Sequence, residues 1–237
     1  MSRHVCRLAA LGFSIAMFLQ LHPAMAETRE VAPGVQVTWK TFPAPVNEAP
    51  FYGFVDKSLT LRRADDVFVS IAVDMSGSSA GAFEAAATSG WKAIAANDMA
   101  EAGKHFNRAW LISPEQSQIF HGFAVIAAAR FNDAEFAEEL FRIARKQPGK
   151  LETLNADYGR MLLIAKRPQD AEPVLEQAVK DAPAFGNAWS NLAIARLQNG
   201  NADGACLAAN EADKLQNAAN VNMDIEWIRR EARCSGH

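Results

Sequence analysis

Positive charge is not in excess in this chain. Its 24 Lys and Arg are outnumbered by 27 Asp and Glu, and the net charge of −3 leaves no basic surface for nucleic acid. Catalytic signatures are missing too. There is no G-x-S-x-G, no P-loop and no H-E-x-x-H. Of the five histidines, at 4, 22, 105, 121 and 237, the first two fall in residues 1–26 and the last is terminal, while His105 and His121 are isolated, with no carboxylate or cysteine at metal-ligand spacing. Asp65-Asp66 reads as the start of a helix, and the Ser-Gly-Ser-Ser run at 76–79 as a plain loop. No metal or cofactor is expected. Apart from residues 8–21, no apolar run approaches the length needed to span a bilayer, so the mature chain should have no membrane span. Cysteine is scarce, with Cys6, Cys206 and Cys234 only.

What is present begins with an address. Arg3 and Arg7 precede the 14-residue apolar run, and Ala24-Met25-Ala26 follows as a small-x-small cleavage site. Residues 1–26 therefore read as a secretory signal peptide, the alternative being a membrane anchor of marginal length. Cleavage near Ala26 would place the protein in the periplasm or outside the cell. It would leave Cys206 and Cys234 as the only thiols, and removing Arg3 and Arg7 would take the charge from −3 to −5. In an oxidising compartment the two cysteines are a disulfide candidate, against two buried unpaired thiols. The tail around Cys234 needs fastening, which favours the bridge.

Residues 27–57, within an arm taken as 27–63, show no helical period. Val35, Val37 and Trp39 alternate with polar residues as in a short strand, and Pro43, Pro45 and Pro50 then forbid helix. Phe51, Tyr52 and Phe54 are more aromatics than a disordered linker usually carries, a flexible leader being the plainer alternative. An extended arm, partly docked on the body, is expected. Within residues 64–79, Val67, Phe68, Ile71 and Ala72 mark one face of a short helix before the loop.

The remainder repeats. Ala102, Phe106, Ala109 and Pro114 recur as Ala137, Phe141, Ala144 and Pro148, then as Ala171, Leu175, Ala178 and Pro183, then as Ala205, Ala209 and Ala212. Ala109, Ala144, Ala178 and Ala212 lie 35, 34 and 34 residues apart, the one extra residue being expected near the 130–133 turn. Tyr158-Gly159 and Trp189 with Leu192-Ala193 open the first helices of the last two units. A period of about 34 with two helices per unit marks a helix-turn-helix solenoid. Small residues at the crossings let helices approach, aromatics fill the gaps, and the units must stack to bury their faces.

These residues resemble the tetratricopeptide repeat (TPR) family, and the chain looks like a small exported bacterial member. The resemblance implies an all-α fold, a right-handed helix-turn-helix solenoid of about four repeats. It covers residues 80–218, with units near 80–116, 117–150, 151–184 and 185–218. The extended arm would precede it, and a capping helix and tail at 219–237 would close it. In that cap Met223, Trp227, Ile228 and Ala232 are expected to face inward.

In the family the first helix of each repeat lines a concave groove. The resemblance therefore places Glu84, Trp91 and Ile94 there, followed by Gln118, His121 and Val125, then Thr153, Arg160 and Leu163, then Asn187, Ser190, Ile194 and Gln198. For each the plainer reading is partial burial between helices. Arg160 stands nearly alone as a cation, unlike the clustered Lys and Asn with which relatives clamp acidic C-termini. A mixed lining suits an extended peptide with alternating apolar and polar contacts. The expected function is a periplasmic or secreted scaffold that holds a partner protein or peptide in its groove. By analogy with the family, it would serve assembly of an envelope, pilus or secretion complex. Two alternatives stand beside it: a structural module whose own arm fills the groove, and an enzyme with its site in residues 27–75. The absence of paired titratable groups there argues against the enzyme.

Overall fold

The structure, a computed structural model, describes residues 27–215 and 219–234. The expected signal peptide at 1–26 lies outside the described residues. A hairpin of β1 (Thr28–Ala32) and β2 (Val35–Thr38) comes first, then two 3₁₀ turns at Val46–Glu48 and Pro50–Phe54. Helix α1 (Leu59–Ser76) follows, starting earlier than the apolar spacing suggests because Ser58 caps it by accepting from the Leu61 amide.

Four helix pairs make the body: α2 (Ser79–Ala95) with α3 (Met99–Ile112), α4 (Ser117–Phe131) with α5 (Ala134–Ala144), α6 (Leu154–Ile164) with α7 (Pro168–Asp181), and α8 (Gly186–Gln198) with α9 (Ala202–Asp213). Helix α10 (Ala219–Ala232) packs on α8 and α9.

The period is visible in the backbone. Asn97, Asn132, Lys166 and Gly200 all take positive φ at the turn between the helices of their pair. Asn and Gly tolerate that conformation best. One residue later, Asp98, Asp133 and Asn201 cap the second helix by accepting from the amides of Glu101, Phe136 and Gly204. From Asn97 to Ala109, Asn132 to Ala144, Lys166 to Ala178 and Gly200 to Ala212 the count is the same. The extra residue of the second unit therefore lies before Asn132, not in the turn. The repeated alanines, Phe106, Phe141 and Leu175 are all buried.

The arm is folded rather than extended, and it does not fill the groove. It lies in the slot between α3 and α5, with α4 as the floor. Phe51 is buried against Trp110, Phe120 and Phe123, and the half-buried Phe42 packs on Phe131 and Phe136. Buried Asn107 on α3 accepts from the Tyr52 amide at 2.9 Å and donates to the carbonyls of Asn47 and Ala49 at 3.0 and 2.8 Å. Gly103 leaves room for the Glu48 carbonyl, where any Cβ would overlap. Glu48 pairs with Arg130, Lys40 with Asp133, and Trp110 donates to the Val31 carbonyl. These contacts hold Phe51, Tyr52, Gly53 and Phe54 at four successive positive φ values. For non-glycine residues that conformation costs about 1–2 kcal/mol each.

Asn107→Leu removes all three bonds and leaves the half-buried Tyr52 amide without its acceptor. It should cost roughly 2–4 kcal/mol, local to the arm and the first two repeats. Amide exchange checks this: Tyr52 and the amides of the Val46–Glu48 turn should exchange much faster while α6 to α9 stay protected. An arm that keeps its protection would show that the aromatic contacts suffice alone.

The cap turns Ile228 and Ala232 inward as expected, but not Met223 and Trp227. Val221, Ile225 and Ile228 are buried, with Ala232 packed beside them, whereas Met223 is exposed and Trp227 is about one-third exposed. The inward stripe follows 221, 225, 228 and 232, the spacing of one helix face. The disulfide joins Cys206 to Cys234 with Cα atoms 5.6 Å apart, well within bridging distance. No helix among the described residues is long and apolar enough to cross a membrane.

Candidate functional site: the concave face

Successive first helices touch: α2 with α4, α4 with α6, α6 with α8, and α8 with α10. The second helices α3, α5, α7 and α9 make no comparable contact with one another. The first helices therefore form the inner, concave side of the curve.

Along that side runs a chain of polar contacts that crosses every repeat boundary. Gln118 donates to Glu84 at 3.5 Å and accepts from the Trp91 indole at 3.0 Å. The Trp91 ring lies 4.5 Å from the His121 ring and 5.2 Å from Phe106. His121 Nε2 is 2.8 Å from Asp157 Oδ2. Arg160 donates to Asn191 Oδ1 at 3.3 Å, and Ser190 donates to Asp224 Oδ2 at 3.3 Å.

Several expected groove residues lie beneath the surface. His121 is fully buried, and Ser190, Gln118, Leu163 and Ile194 are buried. They brace neighbouring repeats and offer no open side chain, because a first helix sits between two neighbours and only part of its inner face is free. Trp91, Ile94, Val125, Thr153 and Asn187 are half-buried. Glu84, Arg160 and Gln198 are exposed, Gln198 at the far end of α8.

Two hollows open side by side on this face. One, of about 340 Å³, is apolar and lies between α4 and α6, lined by Val125, Ala128, Phe141, Met161 and Ile164. The other, of about 120 Å³, is polar and lies between α6, α8 and α10, lined by Asn187, Ser190, Asn191, Asn220 and Asp224. Asp157 and Arg160 border both. Asp157 faces His121, while Arg160 meets only the neutral Asn191 amide among the described residues. A larger polar hollow of about 440 Å³ sits elsewhere, between residues 145–155 and the end of α7. It mixes Arg145 and Lys150 with Glu152 and Asp181, and arises from the long α5–α6 connection.

Asp157, Asn191, Asn220 and Asp224 were not among the expected residues. The period contained their signal: Asn191 lies 34 residues after Asp157, and Asp224 lies 34 after Ser190, as Gln118 does after Glu84.

Titration is perturbed away from this face, where the second and third repeats meet. Hydrogen bonding from Arg167, helped by the charge of Arg142, holds the Glu138 carboxyl below its ordinary range against the opposing effect of burial. Burial raises the Tyr158 hydroxyl, which donates to Glu138. These groups form a structural ion-pair network with Asp170. Among the described residues no group of three His, Cys, Asp or Glu side chains is placed to hold a metal ion.

No family model matches the chain, and no curated protein sequence does. Solved structures do match. PilF of Pseudomonas aeruginosa aligns at 20% identity over 64% of this chain and 69% of that one, with a TM-score of 0.56. PilW, a widely conserved type IV pilus biogenesis factor, aligns at 14% identity over 73% of this chain and 88% of that one, with a TM-score of 0.54. MamA from Desulfovibrio magneticus RS-1 aligns at 17% identity over 64% of this chain and 85% of that one, with a TM-score of 0.50. All three are TPR-repeat proteins. With its four helix pairs, its repeating turns and these neighbours, the chain is a tetratricopeptide-repeat solenoid in fold.

Proposed function

We propose that this chain is a protein-binding scaffold that holds an extended segment of a partner across α4, α6, α8 and α10. One observation carries the reading: the arm occupies the convex slot of the first two repeats, while the concave face keeps an apolar hollow open beside Arg160. A partner side chain of Leu or Met size suits the apolar hollow. A carboxylate or carbonyl suits Arg160, and the amides of Asn187 and Asn220 can pair with peptide backbone in the adjoining polar hollow. The arm-in-groove alternative has no support, since its aromatics and backbone are bound on the other side. An enzyme in residues 27–75 is not favoured either, because Lys40, Glu48 and Lys57 there are engaged in ion pairs.

The proposed setting is the cell envelope, with the protein periplasmic or secreted. The leader-like residues 1–26 and the disulfide support it. The fold likeness to PilF and PilW makes assembly of a pilus-type machine the first context to examine.

Photo-crosslinkers at 160 and 164 in intact cells should capture the partner, and one at exposed Leu207 should not. With that partner in hand, Arg160→Glu and Ile164→Asp should each weaken binding by roughly tenfold to a hundredfold. Ile164 is 72% exposed, so helicity and melting should hardly change. Trp91 is a poorer probe, because its ring packs on Phe106 and His121. Capture from 207 instead, or full affinity in both variants, would move the site off the concave face.

A further inference from the structure

We infer that α1 is a self-complementary interface through which two copies of this chain pair about a two-fold axis. Helix α1 has 18 residues and not one buried side chain. Its packing neighbours are α2 and α3. Asp65, Phe68, Val69 and Ala72 are half-buried on the side towards them. A second apolar stripe faces away, with Val67 58%, Ile71 53% and Met75 85% exposed and Ala64 exposed beside them.

The sequence of this stripe explains what it lacks. Ala64 and Ile71 of the stripe, with Phe68 on the packed side between them, have the spacing of Ala102, Phe106 and Ala109 on α3. On α3 those three positions are fully buried, covered by the first helix of the pair. Helix α1 is thus built like the second helix of a pair whose first helix is absent among the described residues. A solenoid end normally shows a polar outer face, and this one shows a surface shaped for another helix.

Charge identifies that helix. Arg63 and Asp74 are eleven residues apart, close to three full turns, so they flank the stripe on the same edge. Neither has an ion-pair partner among the described residues. In an antiparallel pair, edges of the same kind meet. A two-fold axis near residue 69 sets Arg63 of each copy beside Asp74 of the other. The same axis sets Val67 of each copy against Ile71 of the other. One operation thus satisfies both the charges and the apolar contacts, the mark of an isologous interface. The pairing leaves the concave face free and is independent of the groove reading.

The test uses the chain from Glu27 onward, which holds every described element, in sedimentation equilibrium over a range of concentrations. The expected result is a closed dimer of twice the chain mass. Ile71→Arg, at an exposed position, should give a monomer with unchanged helicity. Arg63→Asp and Asp74→Arg should each raise the dimer dissociation constant by roughly tenfold or more, since each replaces two attractive pairs with repulsive ones. The two reversals together should bring it back to within a few-fold of the original. If Ile71→Arg fails to fold, the charge exchange decides alone. A monomer at every concentration would overturn the proposal. So would a mass that keeps growing, as head-to-tail packing would give, or a dimer unchanged in Ile71→Arg. A double reversal no better than the single ones would overturn it, as would crosslinking of position 71 in cells to a different protein only.

Discussion

Phe106→Ala should lower the unfolding free energy by roughly 3–5 kcal/mol. The side chain is fully buried and sits where three helices meet. Its ring lies edge-on to Trp91 of α2 at 5.2 Å and to Phe123 of α4 at 6.1 Å. Two glycines make room for it. A Cβ at Gly90 would lie 2.8 Å from a ring carbon, and one at Gly122 would lie closer still. Removing the ring therefore opens a cavity between two repeats whose backbones are held by other contacts and collapse only in part. Urea unfolding followed by circular dichroism measures the loss. In a solenoid the effect concentrates in the first two repeats, so a second, earlier transition is expected beside the main one. Gly122→Ala should act in the opposite sense on the same space, overpacking it at a cost of about 1–3 kcal/mol. Combined with Phe106→Ala, the glycine change should cost less than it does alone, because the ring it meets is gone. A loss below about 1 kcal/mol for Phe106→Ala, the range of surface positions, would mean that this crossing is not the anchor.

Cutting the Cys206–Cys234 bridge should have the next largest effect. The cysteines are 28 residues apart in sequence. Closing a loop of that length stabilises by roughly 3–4 kcal/mol in the chain-entropy model. Without the bridge, α10 is held by buried Val221, Ile225 and Ile228 and by Arg229, which donates to Asn210 and Asp213. That stripe is short, so the helix should open well before the solenoid unfolds. Cys206→Ser with Cys234→Ser should expose α10 amides to rapid exchange and leave α2 to α7 unchanged. Losing α10 also removes Asn220 and Asp224 from the polar hollow, so partner affinity should fall with it. Mass spectrometry of the protein, digested without reductant, comes first: a joined peptide pair confirms the covalent link in the cell. Two freely alkylated thiols would refute it, and an α10 that stays protected in the serine variant would show that packing alone suffices.

The sequence by itself determined the repeating part of this molecule. The spacing of Ala102, Phe106 and Ala109 and of their counterparts reflects local sterics, the need for small residues where two adjacent helices cross. The turns at Asn97-Asp98 and Asn132-Asp133 are equally local, a positive-φ residue followed by a cap. Each such rule acts within one unit and recurs, so it is readable four times over. The cysteine pair was readable because Cys206 and Cys234 are the only cysteines outside the leader-like residues 1–26.

Only the tertiary structure decided the rest. That the arm lies between α3 and α5 depends on Asn107, Gly103 and Trp110 meeting residues 55–79 positions away in sequence, once and without a period. That His121 supports the groove instead of lining it depends on Asp157 of the next repeat and Trp91 of the one before. That α10 turns Val221 and Ile225 inward, and not Met223 and Trp227, follows from where α10 meets α8 and α9. In each case two or more faces of an element were apolar enough to be buried. The choice between them rests on non-local packing, which the spacing of apolar residues within one unit does not reveal.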